Sequence, residues 1–391
     1  MLFISFSQFD HTFCIGGMGS YKGLYYTLGA IGTGSAAYLL TRHKQPSPPT
    51  VPLHGAENCK YILDNSHSHT FSLSDGRKLG YADYGDPNGK PILYQHGLPG
   101  SRIEATRYHD LGKELGLRII SIDRPGHGWS SSFEKFGART VKSWANDVNE
   151  LAEGLRLDEY AVMGVSGGGP YALSLAHGLP RDKLKVVSLI CGIGPPDIGM
   201  SGAGWPTYLG FTAGWRYANS KITQILLRWF FQRDNADSLE LSDEERLRLF
   251  LSPDRTKGMS DADKAFFGDE DEMRAYLATS RASYQQGFDA MCKDGYAMCT
   301  EWGFRIEDIR KDLPVVLWYG SQDKNVPPNH GRTIAQRLRM ESERGDGEVK
   351  DGGPVAWKER VRLRMLDDTH ASISMRDKKG YLMDILNAWG C

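Results

Sequence analysis

Residues 164–168 read Gly-Val-Ser-Gly-Gly, and what flanks them constrains the fold more than any other feature of the chain. Residues 160–163 form a short apolar run with the β-branched and aromatic bias of a buried strand, and residues 169–178 read as a helix. Pro170 sits in the first turn, where a missing N–H costs nothing, and Gly178 suits the helix end. A serine in a glycine-rich turn between strand and helix is held in a strained backbone conformation, with its hydroxyl lifted clear of the sheet. Gly164 and Gly168 leave room for the strand and helix to approach closely. The helix N-terminus then lies beneath any negative charge that develops at Ser166. A Gly/Ser turn without chemistry is the plain alternative, and the flanking pattern weighs against it.

A serine hydroxyl is a poor nucleophile until a base takes its proton, so the reading needs a histidine and an acid. On this kind of turn they are expected downstream, acid first. Residues 314–319 are a buried-strand pattern running into Gly320-Ser321-Gln322-Asp323, so Asp323 stands just past a strand. Residues 361–366 alternate as a strand should and lead through Asp367-Asp368-Thr369 to His370. Two histidines lie beyond Asp323, and only His370 follows a strand; His330 falls in a helical pattern over 329–340 and reads as an ordinary helix-face residue. Asp197, just after the strand at 184–191, is a competing acid.

The third requirement is a pair of donors for a developing oxyanion. One is expected from the backbone N–H of Gly167, the other from an earlier strand–helix loop. The strand at 91–95 is followed by His96-Gly97-Leu98-Pro99-Gly100-Ser101-Arg102. The glycines let that backbone turn inward, so the N–H of Leu98 is the candidate, since Pro99 has none. The next strand, 117–122, ends in Asp123-Arg124-Pro125-Gly126-His127-Gly128-Trp129-Ser130, which reads as a structural loop braced by Asp123 and Arg124. A direct catalytic role for His127 or Asp123 is the lesser alternative.

Residues 70–73 and 78–84 form a hairpin around Ser74-Asp75-Gly76, after which strands and helices alternate, the pattern of a doubly wound, mostly parallel sheet. Between 195 and 309 the alternation stops and helices take over, clearest at 212–231, 242–251 and 269–284, with Ser242 and Glu245 as a capping box. This block follows the sixth strand, where a cap over the serine would sit. Its aromatic residues, among them Trp205, Tyr208, Trp215, Trp229, Phe266 and Phe288, are expected mostly in helix packing, with a minority lining an apolar pocket. The core is then 61–194 plus 310–391, and the cap 195–309. Residues 341–358 read as a charged, exposed loop.

The 391 residues suffice for one large core plus an insertion. With 47 basic and 48 acidic side chains and no basic stripe, nothing points to nucleic acid. Six scattered cysteines without C-x-x-C spacing, and no N-x-S/T sequon, suit reduced thiols inside a cell. At the front, residues 23–41 carry no charge and lie between Lys22 and Arg42-His43-Lys44; they are just long enough to span a bilayer, though diluted by four glycines. The alternatives are a membrane anchor with the catalytic domain in the cytosol and a disordered leader on a soluble cytoplasmic protein. Residues 46–52 are a proline-rich linker that completes a leader over 1–60.

With H-G-L-P-G-S-R at 96–102, D-R-P-G-H-G-W-S at 123–130, G-V-S-G-G at 164–168 and the Asp323 and His370 loops in order, the chain resembles the α/β-hydrolase family across roughly 68–390. The resemblance is to its fungal and plant branch. It implies an α/β-hydrolase fold with a helical cap, Ser166 as nucleophile, Asp323 and His370 as its partners, and Leu98 and Gly167 as oxyanion donors. It implies no metal and no organic cofactor. The resemblance does not fix the substrate; the expected reaction is cleavage of a small or medium, fairly apolar acyl substrate, an ester or thioester, by a serine hydrolase. Thioester release, C–C cleavage or cyclisation, and a ligand-binding receptor on the same scaffold are the alternatives. Proline iminopeptidase relatives carry a bulky aromatic after the serine, where this chain has Gly167.

Overall fold

The computed structural model describes residues 59–133, 135–232, 241–257, 259–339 and 360–390. The expectations for residues 1–58 of the leader, with its 23–41 segment, and for the 341–358 loop therefore fall outside the described residues. Among the described residues no helix is long and apolar enough to cross a membrane.

Eight strands form one sheet: β1 (Ser68–Ser72), β2 (Lys78–Gly85), β3 (Lys90–Gln95), β4 (Leu117–Ile122), β5 (Tyr160–Val165), β6 (Leu184–Ile190), β7 (Val315–Gly320) and β8 (Val361–Leu366). Their spatial order is β1-β2-β4-β3-β5-β6-β7-β8. β1, β2 and β4 pair antiparallel, and every pairing from β4 through β3 to β8 is parallel. The hairpin turns at Gly76, whose φ of 86° suits a residue without a Cβ. The parallel strands β5 and β7 are buried along their whole length, because helices cover both faces of the sheet. Two apolar clusters lie on its opposite sides: one gathers Leu93, Trp144, Val162, Leu173 and Leu317, the other Ile92, Tyr94, Met163, Val316 and Tyr381.

Between β6 and β7 come the helices Trp205–Leu209, Lys221–Gln232, Asp243–Phe250, Pro253–Thr256, Asp261–Gly268, Glu270–Ser283 and Asp289–Cys299. Ser242 and Glu245 form the expected reciprocal cap. The helix expected over 212–231 is interrupted instead. A π turn at Gly210–Gly214 and a 3₁₀ turn at Trp215–Tyr217 precede the helix that starts at Lys221. Trp215 explains the break: it is buried against the Asp289–Cys299 helix, where a Cβ on Gly295 would fall 2.5 Å from its ring. Tertiary packing of that indole overrides a continuous periodicity. The aromatic residues of this block also split differently from the expectation. Trp215, Phe266, Phe267 and Phe288 are buried, whereas Trp205, Tyr208 and Trp229 are about half exposed.

Candidate active site

Parallel pairing brings the C-terminal ends of β3, β5, β6, β7 and β8 to one edge of the sheet, the edge where open α/β sheets place their ligands. Val165 ends β5 and Ser166 follows with φ of 52°, the left-handed region that costs any side chain strain. The strain is held by close packing on either side of the serine. A Cβ on Gly168 would fall 2.1 Å from the carbonyl of Gln95, and one on Gly164 2.7 Å from Cβ of Ala172. Ser166 is 7% exposed, and its carbonyl accepts from the Ile193 N–H at 3.0 Å.

Strands β7 and β8 pair through Gly320 and Leu366, so the loops beyond them run side by side, tied by Ser321 N to Leu366 O at 2.7 Å. That register joins Asp323 to His370 across 47 positions of sequence. Nδ1 of His370 meets Oδ2 of Asp323 at 2.6 Å, and Nε2 meets Oγ of Ser166 at 2.9 Å. The other carboxylate oxygen accepts from the backbone N–H of Asn325 and Val326, at 2.7 and 2.8 Å. A carboxylate so held fixes the proton on Nδ1 and leaves the Nε2 lone pair facing the serine hydroxyl. Burial works against the imidazolium, but the Asp323 carboxylate outweighs it and raises the proton affinity of His370 above the ordinary histidine range.

The alternative acids and bases lie elsewhere. Asp197 is exposed and pairs with Arg337 at 2.5 Å. His330 lies in the expected helix, Asn329–Arg339, but it is 2% exposed rather than an ordinary face residue, and its Nδ1 accepts from the Gly194 N–H at 3.0 Å. Burial pushes its pKa down to about 4, so it serves there as a neutral acceptor. His127 is buried on Ser283, and Asp123 accepts from the Arg102 backbone and guanidinium and from the Trp129 N–H.

Two motif loops meet beside the serine turn. Arg124 donates to the carbonyls of His96 and Gly97, at 2.5 and 2.8 Å. In a trans peptide, turning the Gly97 carbonyl toward Arg124 turns the Leu98 N–H the other way, toward the serine turn. The Leu98 nitrogen indeed lies 3.1 Å from where a Cβ of Gly167 would be. His96 completes the brace. Its Nε2 accepts from the Arg124 N–H at 3.2 Å, which leaves Nδ1 to donate to Gly97 O at 2.9 Å. Burial and the neighbouring guanidinium hold His96 well below the usual histidine range, so this tautomer persists.

A family model described as alpha/beta hydrolase fold matches residues 90–349. The chain belongs to the α/β-hydrolase fold family. Curated relatives in that family include a proline iminopeptidase of Xylella fastidiosa, 31% identical over 117 residues, which are 29% of this chain and 36% of that protein. A non-heme chloroperoxidase of Streptomyces lividans is 32% identical over 127 residues, 32% of this chain and 45% of that protein. The chain thus spans under half the length of these relatives. Among solved α/β hydrolases, a hydrolase from Pseudomonas aeruginosa is 18% identical with a TM-score of 0.52, covering 83% of this chain and 99% of that one. An enzyme from a Medee basin deep-sea metagenome library is 16% identical with a TM-score of 0.53, covering 83% and 98%. At these identities the likeness is one of fold.

Two features of this α/β hydrolase were not apparent in its sequence. Glu104 is buried beside the serine turn, accepting from the Gly97 N–H at 3.0 Å and from the Tyr94 hydroxyl at 2.8 Å. Cys191 stands just past β6 with φ of 41° and lies within 4.8 Å of the Asp323 and His370 ligand atoms. Cysteine, aspartate and histidine together suit a transition metal in principle. Here Nδ1 of the histidine faces Asp323, and its one lone pair, on Nε2, already faces the Ser166 hydroxyl.

Proposed function

We propose that the protein is a serine hydrolase that cleaves an apolar carboxylic ester or thioester. The observation that carries this reading is the unbroken chain from Ser166 Oγ through His370 to Asp323, with the Leu98 and Gly167 amides beside it. Ser166 Oγ attacks the acyl carbon as its proton passes to Nε2 of His370, and Asp323 stabilises the imidazolium that forms. The Leu98 and Gly167 N–H groups take the negative oxygen. His370 then protonates the departing alcohol or thiol, leaving an acyl group on Ser166. Water attacks that ester with His370 again accepting the proton, which returns to Ser166 Oγ as the acyl–oxygen bond breaks and the carboxylic acid leaves. An apolar acyl group fits the surroundings, because Ala371, next to the base, packs into a cluster with Phe250, Phe266 and Met273.

Peptide cleavage is a second reading, favoured by the several relatives named as proline iminopeptidases. Gly167 argues against it through the resemblance noted above. Turnover of 4-nitrophenyl esters and acyl thioesters of graded length, beside proline 4-nitroanilide, separates the two. Ester and thioester turnover is expected to dominate, with fluorophosphonate labelling at Ser166. Ser166→Ala is expected to remove the label and lower turnover by about 10⁴-fold or more. Labelling that persists in the alanine variant, or faster anilide than ester turnover, would overturn the reading.

A further inference from the structure

The helix Lys221–Gln232 carries Ile222, Ile225, Leu226 and Trp229, an i, i+3, i+4, i+7 stripe that in a globular protein faces the core. Here the stripe faces out, with exposures of 72, 40, 59 and 50%, while Leu227 points inward. Trp205 and Tyr208 on the preceding short helix are also about half exposed. Eight of the ten large apolar side chains exposed among the described residues fall between 205 and 229, on consecutive elements of the chain rather than scattered over it.

The charge around the patch selects its partner. Residues 198–232 contain Arg216, Lys221 and Arg228 and not one Asp or Glu, in a chain whose acids and bases otherwise balance. A second copy docking by a two-fold would set these cations against themselves. An anionic bilayer complements them and accepts the apolar stripe, with tryptophan and tyrosine suited to its headgroup boundary. We propose that residues 205–229 are a docking surface for an anionic lipid membrane. The patch is joined to the site. Gly204 N donates to Lys324 O at 2.8 Å and Thr207 Oγ1 to Asn325 Oδ1 at 3.2 Å, one and two residues beyond Asp323. Docked, the surface holds the serine's edge of the sheet next to a reservoir of apolar acyl compounds. The docking itself does not depend on which reaction follows.

The test is flotation of the full-length protein with phosphatidylcholine vesicles, with and without about a third phosphatidylserine. Ile222→Asp with Leu226→Asp is expected to lower partitioning at least about 100-fold. Arg216→Ala with Lys221→Ala is expected to lower it about 30-fold on anionic vesicles and hardly at all on neutral ones. All four side chains are exposed, and unchanged thermal melts by circular dichroism verify folding. Undiminished binding by both double variants overturns the proposal, whether the wild type binds through residues 23–41 or fails to bind. Self-association of the wild type that the aspartate pair abolishes, without loss of vesicle binding, overturns it in favour of a dimer face.

Discussion

The helices Glu270–Ser283 and Lys221–Gln232 belong to the same block between β6 and β7, yet they meet the rest of the molecule in opposite ways. The first is clamped to the core by buried polar contacts. Glu272 binds Arg107 at 2.7 Å and Lys378 at 2.5 Å, and Thr279 accepts from the Ser101 N–H in the loop after β3 at 3.0 Å. Its neighbour Asp289–Cys299 adds Asp294, buried among Arg124, Arg139 and the hydroxyl of Tyr171. Arg124 is the residue that turns the His96 and Gly97 carbonyls, so this half of the block between β6 and β7 buttresses the loops around Ser166. Among its described side chains the second helix buries Leu227 and turns its apolar stripe outward. Amphipathic periodicity thus reports that a helix has a face to cover, and says nothing of whether the cover is the protein's own core.

The contrast predicts graded consequences. Floor substitutions should remove chemistry, and Asp323→Asn is expected to cost roughly 10⁴-fold in kcat/KM, because a neutral amide no longer fixes the useful tautomer of His370. Asp323 raises the proton affinity of His370, so its removal should also move the acid limb of the residual pH profile downward. Asp197→Asn, at a surface pair, should stay within about tenfold. The reverse order of the two would dismantle the assignment of the acid.

Clamp substitutions should act on stability instead. Asp294→Asn leaves two buried guanidinium groups short of their carboxylate and is expected to destabilise the fold by about 3–5 kcal/mol in urea titrations. A loss below about 1 kcal/mol would mean that the Asp289–Cys299 helix is not held this way.

A smaller effect of the same clamp should appear in acid. Burial opposes the Glu272 carboxylate, but Arg107 and Lys378 prevail and bring its pKa from 4.5 down to about 2. A carboxyl group lowered in the folded state contributes stability fully above its unfolded value, and that contribution drains away as pH falls from about 4.5 toward 2. Melting temperatures across that window should drop more steeply for the wild type than for Glu272→Gln, which starts lower and lacks the titration. Parallel curves would detach Glu272 from the clamp.

The site was largely legible because each of its residues announces itself by position. Ser166, Asp323 and His370 each stand a few residues past a strand, and strand ends can be read from local apolar runs. Cys191 and Glu104 could not be read in this way. Nothing near Cys191 in sequence marks a positive φ, and Glu104 sits in a turn like any surface glutamate until Gly97 and Tyr94 close on it. The broken 212–231 helix was missed for the same kind of reason, since the indole that breaks it packs on a helix some eighty residues later.

What the sequence by itself determined are the features set by neighbouring residues: the run of strands and helices, the strained serine turn, the Ser242 cap and the placing of Asp323 and His370 just past strands. These follow from backbone sterics, side-chain branching and local hydrogen bonding, all within a few positions. Only the tertiary structure decided which groups share one low-dielectric space. It brought Asp323 rather than Asp197 to His370, buried Asp294 between two arginines, and left the Ile222–Trp229 stripe facing outward. Those outcomes depend on sheet register and on which surfaces remain once the helices have packed, quantities that no local stretch of chain contains.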